Sequence, residues 1–245
     1  MNLARYFGLD MQEKFPVITM VITMMCVVIF LFTTNNLPYY ESSFGFIPAS
    51  PRIYTLLTYS FIHANMAHLI SNVIMLILLG IILENYIDNL SYVLIYMTSG
   101  VVSAVFDTVS RGVLSISPSL PFVGASGAIF GLAGVAMLVK PYEKLPSFTV
   151  LLFAVPLFML VSNYSQLLTN PFAMLLVLMF VGLTTAIVLF EIPSLPTLVI
   201  FFYYTVFTIL FILMEGFTQN VSYIGHLGGL LGGVLSFFLF CRKGK

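Results

Sequence analysis

Charge is scarce in this 245-residue chain: nine Lys and Arg and nine Asp and Glu make up 7% of it. A soluble domain carries about 25%. With 60% hydrophobic residues, there are too few polar side chains to clothe a globule in water, which excludes the soluble globular and disordered classes. The balance of nine against nine leaves no net field, so nucleic acid and strongly charged partners are not expected. Tryptophan is absent and cysteine occurs twice. Cys26 lies inside an apolar run and Cys241 near the C-terminus; they cannot form a disulfide framework, and neither has metal-ligand spacing. No metal or other cofactor is expected. What remains is a polytopic membrane protein whose solvent is the lipid bilayer.

A bilayer span takes roughly 20 mostly apolar residues. Eight such runs occur, at 16–34, 67–86, 91–109, 124–140, 147–163, 171–190, 196–214 and 224–240. The expected architecture is therefore all-α, a polytopic helix bundle forming one integral-membrane domain over 1–245. The first run ends without a small-x-small cleavage site and reads as a retained helix. With the N-terminus in the cytoplasm, the inner segments hold Arg5, Lys14, Lys140, Lys144, Arg242, Lys243 and Lys245, seven of the nine positive charges. Only Arg52 and Arg111 then fall outside, as the positive-inside rule requires. Both termini are expected to be cytoplasmic, and the low charge content fits a prokaryotic plasma membrane. Without tryptophan, the interfacial belts rest on Tyr39, Tyr40, Tyr142 and Tyr223. The connection 35–66 contains Ile53–Ile62, ten mostly apolar residues and too short to span. An interfacial or re-entrant segment and a loop covering helix ends are equally open readings of it.

Strongly polar groups inside spans are costly, which makes them functional candidates. The chain has three histidines, His63, His68 and His226. His68 and Asn72, at i and i+4, share a helix face at the start of the second span, and His63 lies just before it. Ser126 sits in Gly124-Ala-Ser-Gly127 at the start of the fourth span, and His226 in Gly225-His-Leu-Gly-Gly229 at the start of the last. In the inferred topology these three spans all run from outside to inside. Their first turns then share one depth, within the outer third of the bilayer at about 1.5 Å per residue. Glycines at 127, 131 and 134 in the fourth span, and at 225, 229 and 233 in the last, allow close helix approach. Generic packing would explain the glycines but not why Ser126 and His226 head the two glycine faces.

A serine hydroxyl needs a base to become nucleophilic, and neutral histidine is the usual one near pH 7. Ser126 is thus the expected nucleophile and His226 its base. No Asp or Glu is expected at that depth to orient the imidazole, which makes the pair a dyad. Attack on an amide creates an oxyanion, for which Asn72, His68 and the Ser126 backbone N–H are the expected donors. Each motif alone has a plainer reading: serine at a helix interface, histidine on a proton path, or an interhelical His/Asn bond worth about 0.6 kcal/mol. Together, at one depth, they point to catalysis.

These residues resemble the rhomboid intramembrane serine proteases. The matching elements are His63-x4-His68-x3-Asn72, Gly80-x3-Glu84, Gly124-Ala-Ser126-Gly127 and His226-x2-Gly229-x3-Gly233. The resemblance implies a Ser126/His226 dyad, an oxyanion site using His68 and Asn72, and supporting roles for His63, Gly124, Gly127, Phe130 and Gly229. It implies single-span membrane-protein substrates with small residues and a helix-destabilising stretch near the cleavage point. It also implies a six-helix core, here with an extra helical pair between the serine and histidine spans, and a membrane-embedded first loop at 35–66. The family's Trp-Arg pair in that loop reads Pro51-Arg52 here. Phe130 takes the place of an aromatic expected beneath the histidine. Glu84 reads as structural, bonding a neighbouring helix. The expected activity is peptide-bond hydrolysis in or beside a transmembrane segment. The alternatives are a rhomboid-like pseudoprotease that binds without cutting, and a transporter with a proton-linked histidine. The retained serine and histidine argue against the first, and the serine-bearing, glycine-rich motif against the second.

Overall fold

A computed structural model describes residues 14–114, 117–146, 175, 194–199 and 223–241. They fall into two compact units, one built from 14–139 with 223–241, the other holding 140–146, 175 and 194–199.

The larger unit is helical. Pro16 precedes α1 (Val17–Thr33), where its missing N–H costs nothing. A single 3₁₀ turn, Thr34–Asn36, leads into α2 (Leu37–Phe44). Within the Ile53–Ile62 run, α3 (Thr55–Thr58) passes into a second 3₁₀ turn, Tyr59–Phe61. Residues 59–63 are buried while Ile53, Tyr54 and Leu57 are exposed, so the run is a short helical plug with one face packed inward. Asn65 caps α4 (Met66–Leu83), accepting the His68 N–H at 2.9 Å. Asp88 caps α5 (Asn89–Leu114), accepting the Ser91 N–H at 3.0 Å and its hydroxyl at 2.6 Å. Helix α6 spans Ser126–Val139 and α7 spans Tyr223–Phe240.

By length and composition, Val17–Phe44 and Asn89–Val113 can cross a membrane, and His68–Leu83, Ser126–Val139 and Ile224–Phe240 are shorter apolar helices. The expected spans 16–34, 67–86, 91–109, 124–140 and 224–240 all appear as helices, with ends shifted by a few residues. The expected span 147–163, all of 171–190 but Leu175, and most of 196–214 lie outside the described residues.

Contacts along the helices fix their directions. Gly127 lies against Gly229, and Gly131 against Gly233, so α6 and α7 run parallel with their heads together. A Cβ on Gly229 would overlap the Gly127 carbonyl oxygen and sit 2.8 Å from its carbon. One on Gly131 would stand 2.9 Å from the Gly229 oxygen. Helix α5 runs antiparallel to both: Ser103 and Ser99 seat Gly127 and Gly131, and Phe106 and Val102 seat Gly228 and Gly232. Thr98 and Ser236 hydroxyls meet at 2.6 Å further along.

Helix α1 packs antiparallel on α4 through a polar clamp. The Glu84 carboxylate accepts the Ile18 N–H at 3.1 Å and the Thr19 N–H at 2.7 Å, two of the first-turn donors a helix cannot satisfy itself. Thr19 Oγ1 donates to Tyr92 Oη at 2.9 Å, and Gly80 makes room for the Thr19 side chain. Glu84 is 4% exposed, so this is a structural carboxylate, as its sequence position suggested.

The smaller unit departs from an all-helical expectation. Strands β1 (Lys144–Pro146) and β2 (Ser194–Pro196) pair antiparallel, Leu145 opposite Leu195. Thr197 N–H then donates to the Glu143 carbonyl at 2.7 Å and Leu198 N–H to that of Pro141 at 2.8 Å.

The backbone contact makes a prediction. Gly233→Ala drives a methyl into Gly131 and lowers stability by about 1–3 kcal/mol. Gly112→Ala, whose methyl meets nothing within 4 Å, leaves stability unchanged or raises it by up to about 1 kcal/mol. Thermal unfolding in detergent distinguishes them, and equal losses would contradict the packing.

Candidate active site

Because α6 and α7 run parallel in backbone contact, whatever stands at their heads is brought together. Ser126 is the first residue of α6, one before Gly127; His226 lies three before Gly229 on α7. Their side chains meet, His226 Nε2 to Ser126 Oγ, at 2.9 Å. Phe130, one turn below the serine, stacks under the imidazole with ring centres 4.3 Å apart and planes 6° from parallel. The imidazole is 8% exposed, whereas Ser126 is only half-buried and so remains reachable.

Helix α4 supplies the third wall. Gly124 has φ +117°, a conformation that L side chains rarely adopt. Space forbids a side chain there too: a Cβ would lie 2.6 Å from His68 Cε1, 2.7 Å from His68 Nε2 and 3.8 Å from Asn72 Nδ2. His68 and Asn72 thus flank the backbone two residues before the serine. Asn72 Nδ2 is buried and has no hydrogen-bond partner among the described residues, leaving a donor beside the loop. The first-turn N–H groups of α6 also lack intrahelical acceptors and carry the positive end of the helix dipole. The expected Ser126, His226, His68, Asn72, Gly124, Gly127, Phe130 and Gly229 therefore lie in one neighbourhood.

His63 is fully buried behind His68, the two rings edge to face at 5.2 Å. Its Nδ1 lies 3.3 Å from the Phe61 carbonyl. Burial, and secondarily the neighbouring His68, push its pKa down to about 3. It is a neutral ring packed against another ring.

The first connection is anchored without a tryptophan. Arg52 Nη1 donates to Tyr54 Oη at 3.1 Å, and Tyr54 donates on to the Ser43 carbonyl at 3.0 Å. Thr58 Oγ1 donates to the Phe44 carbonyl at 2.7 Å.

Arg111 lies in the last turn of α5, 5% exposed, with its Nε 2.7 Å from Asp107 Oδ2. The expectation that no Asp or Glu lies at the depth of the dyad needs correction: Asp107 is at this end of the bundle, because Ser103, one turn before it, seats Gly127 at the head of α6. Among the described residues the Asp107 carboxylate is held by Arg111. The i,i+4 spacing of the two residues was a legible signal, hidden by treating the span as ending at 109.

Tyr59 was also missed. Fully buried, it donates from Oη to the Gly100 carbonyl at 2.7 Å, and its own carbonyl accepts the Gly124 N–H at 2.9 Å. Nothing in its sequence context distinguished it from the apolar residues around it.

Fold and site together define a helical membrane protein with a serine and a histidine in hydrogen-bond contact at the heads of two glycine-packed helices. The Rhomboid domain family matches residues 50–172 and 170–243, and the chain belongs to the rhomboid family. A 90-residue stretch is 36% identical to Rhomboid-like protein 11, chloroplastic, of Arabidopsis thaliana, covering 37% of this chain and 30% of that protein. The chain thus spans less than a third of the length of that curated relative. No solved structure matches.

The buried His63 makes stability depend on pH. Its folded-state pKa lies below the ordinary value of 6.5, so the unfolded chain takes up the proton first as pH falls. Its contribution is complete above about pH 6.5 and fades toward pH 3, by at most about 1.4 kcal/mol per pH unit. His63→Gln should flatten this part of the curve of unfolding free energy against pH. Parallel curves for the two proteins between pH 6 and 4 would contradict it.

Proposed function

We propose that this protein is an intramembrane serine endopeptidase that hydrolyses peptide bonds in or near the transmembrane segment of single-span membrane proteins. The observation that carries the reading is the 2.9 Å contact between His226 Nε2 and Ser126 Oγ inside an apolar helix bundle. Membership of the rhomboid family supports it.

The chemistry follows from the groups present. Neutral His226 takes the Ser126 proton as Oγ adds to the scissile carbonyl, giving a tetrahedral oxyanion. The Ser126 N–H, Asn72 Nδ2 and His68 imidazole are the donors we assign to that charge. Collapse breaks the C–N bond, and His226 returns the proton to the leaving amine. Water then attacks the acyl-serine with His226 again as base, releasing the acid and restoring Ser126. Phe130 limits the imidazole to tilts about one stacked plane.

The short α6 bears on depth. Its 14 residues extend about 21 Å, against an apolar layer of about 30 Å. With Val139 at one interface, Ser126 sits below the other, where a substrate helix must unwind locally to expose a carbonyl. Residues prone to leave the helical state, such as glycine, ease that step. We read 1–245 as a single integral-membrane domain of eight spans, a six-helix core plus a pair between the serine and histidine helices. The distribution of lysine and arginine favours cytoplasmic termini and a site opening outward, as in a prokaryotic plasma membrane.

The test is cleavage of a single-span reporter in proteoliposomes. Wild type should give product; Ser126→Ala and His226→Ala, each verified as folded, should lose at least about 10³-fold in turnover. Cleavage surviving Ser126→Ala would remove the serine from the reaction. Reporter binding without product from wild type would instead favour the pseudoprotease.

A further inference from the structure

Helix α5 carries a buried ion pair that the chemistry above does not use. Asp107 is 3% exposed and Arg111 5%, in a chain with only 7% charged residues. Arg111 does more than pair with Asp107. Its Nη1 donates to the carbonyls of Ser117 at 3.1 Å and Leu120 at 3.3 Å. Those carbonyls begin the segment that leads to Ser126.

That segment is tied along its whole length. The Pro118 carbonyl accepts the Ala49 N–H at 3.0 Å. Phe122 exchanges both backbone bonds with Phe46, at 2.7 and 3.0 Å, and its ring packs on Tyr59 at 4.7 Å. The Gly124 N–H closes on the Tyr59 carbonyl. Arg111 is the side-chain tie at the start, and the same stretch of α5 reaches the dyad helices directly. Ser103 seats Gly127 of α6, and Phe106 seats Gly228 of α7.

We propose that Asp107 and Arg111 are positioning residues for the head of α6. Asp107 orients the guanidinium, the guanidinium holds the Ser117 and Leu120 carbonyls, and the fixed segment 117–124 sets the angle at which Ser126 presents its Oγ and N–H. The planar fork suits this task because it can bond a carboxylate and carbonyls from one rigid plane. A lysine ammonium could not hold that geometry. The effect on turnover rests on the protease reading above; the effect on the segment does not.

The experiment separates the two. Asp107→Leu/Arg111→Met removes both charges together, because losing one alone would leave the other buried and unpaired. Arg111→Lys is the second variant, keeping the charge without the fork. Hydrogen exchange of the Phe122 and Gly124 amides, measured in detergent by mass spectrometry, should rise at least about tenfold in the double variant while α7 stays protected. At a matched folded fraction, turnover of the reporter should fall at least about tenfold in both variants, with KM changed less than about threefold. Unchanged exchange in the double variant overturns the proposal whatever the activity. Raised exchange with unchanged turnover also overturns it, since the segment would then not aim the serine. A wild type that cuts nothing sinks the protease reading alone, and the exchange measurement still decides whether the pair fixes the segment.

Discussion

Where Gly127 meets Gly229 and Gly131 meets Gly233, no Cβ separates the backbones of α6 and α7, and the positions of Ser126 and His226 follow from that approach. Helices packed through larger side chains stand 8–10 Å apart. A serine side chain is too short to reach an imidazole across such a gap with both residues held on helices. Backbone contact closes it, and the parallel direction puts both reactive groups at the same end. In lipid no hydrophobic drive pushes helices together, so close packing itself supplies the attraction, and small residues are what permit it. The glycine faces are therefore both the adhesive of the bundle and the ruler of its site.

Helix α5 completes this arrangement from the opposite direction. Its small polar residues, Ser99 and Ser103, seat the glycines of α6, while Val102 and Phe106 seat those of α7. Ser99 bonds back to the Ile95 carbonyl at 2.6 Å and so needs no partner across the interface. Among the described residues, side chains that bond main-chain atoms of another segment stand at both ends: Glu84 on the α1 first turn at one, Tyr59 and Arg111 on backbone carbonyls at the other. Each satisfies main-chain atoms that helices and turns leave open, which in an apolar medium carries a high cost if neglected.

Much of this was legible because membrane sequences use polar residues sparingly. The helices at 17–33, 66–83, 89–114, 126–139 and 223–240 followed from apolar runs, and Ser126, His226, His68 and Asn72 stood out as polar groups within them. Glu84 was legible for the same reason. Other features depend on tertiary contact and leave no periodic mark. The helical plug at 55–61 is too short for a hydrophobic period to resolve, and the β1–β2 ribbon joins strands nearly 50 residues apart. Part of what Tyr59 does it does through its backbone carbonyl, which any residue type possesses. The Asp107–Arg111 pair went unread because the span was taken to end at 109, which parted the two residues.

The central claim, that His226 activates Ser126, is tested most directly by covalent labelling. The protein in lipid nanodiscs is treated with a fluorophosphonate, digested and mapped by mass spectrometry, alongside folded His226→Ala. The dyad predicts one adduct, on Ser126, forming at least about 100-fold more slowly in the variant. An adduct on another residue, or equal rates in the two proteins, would contradict it.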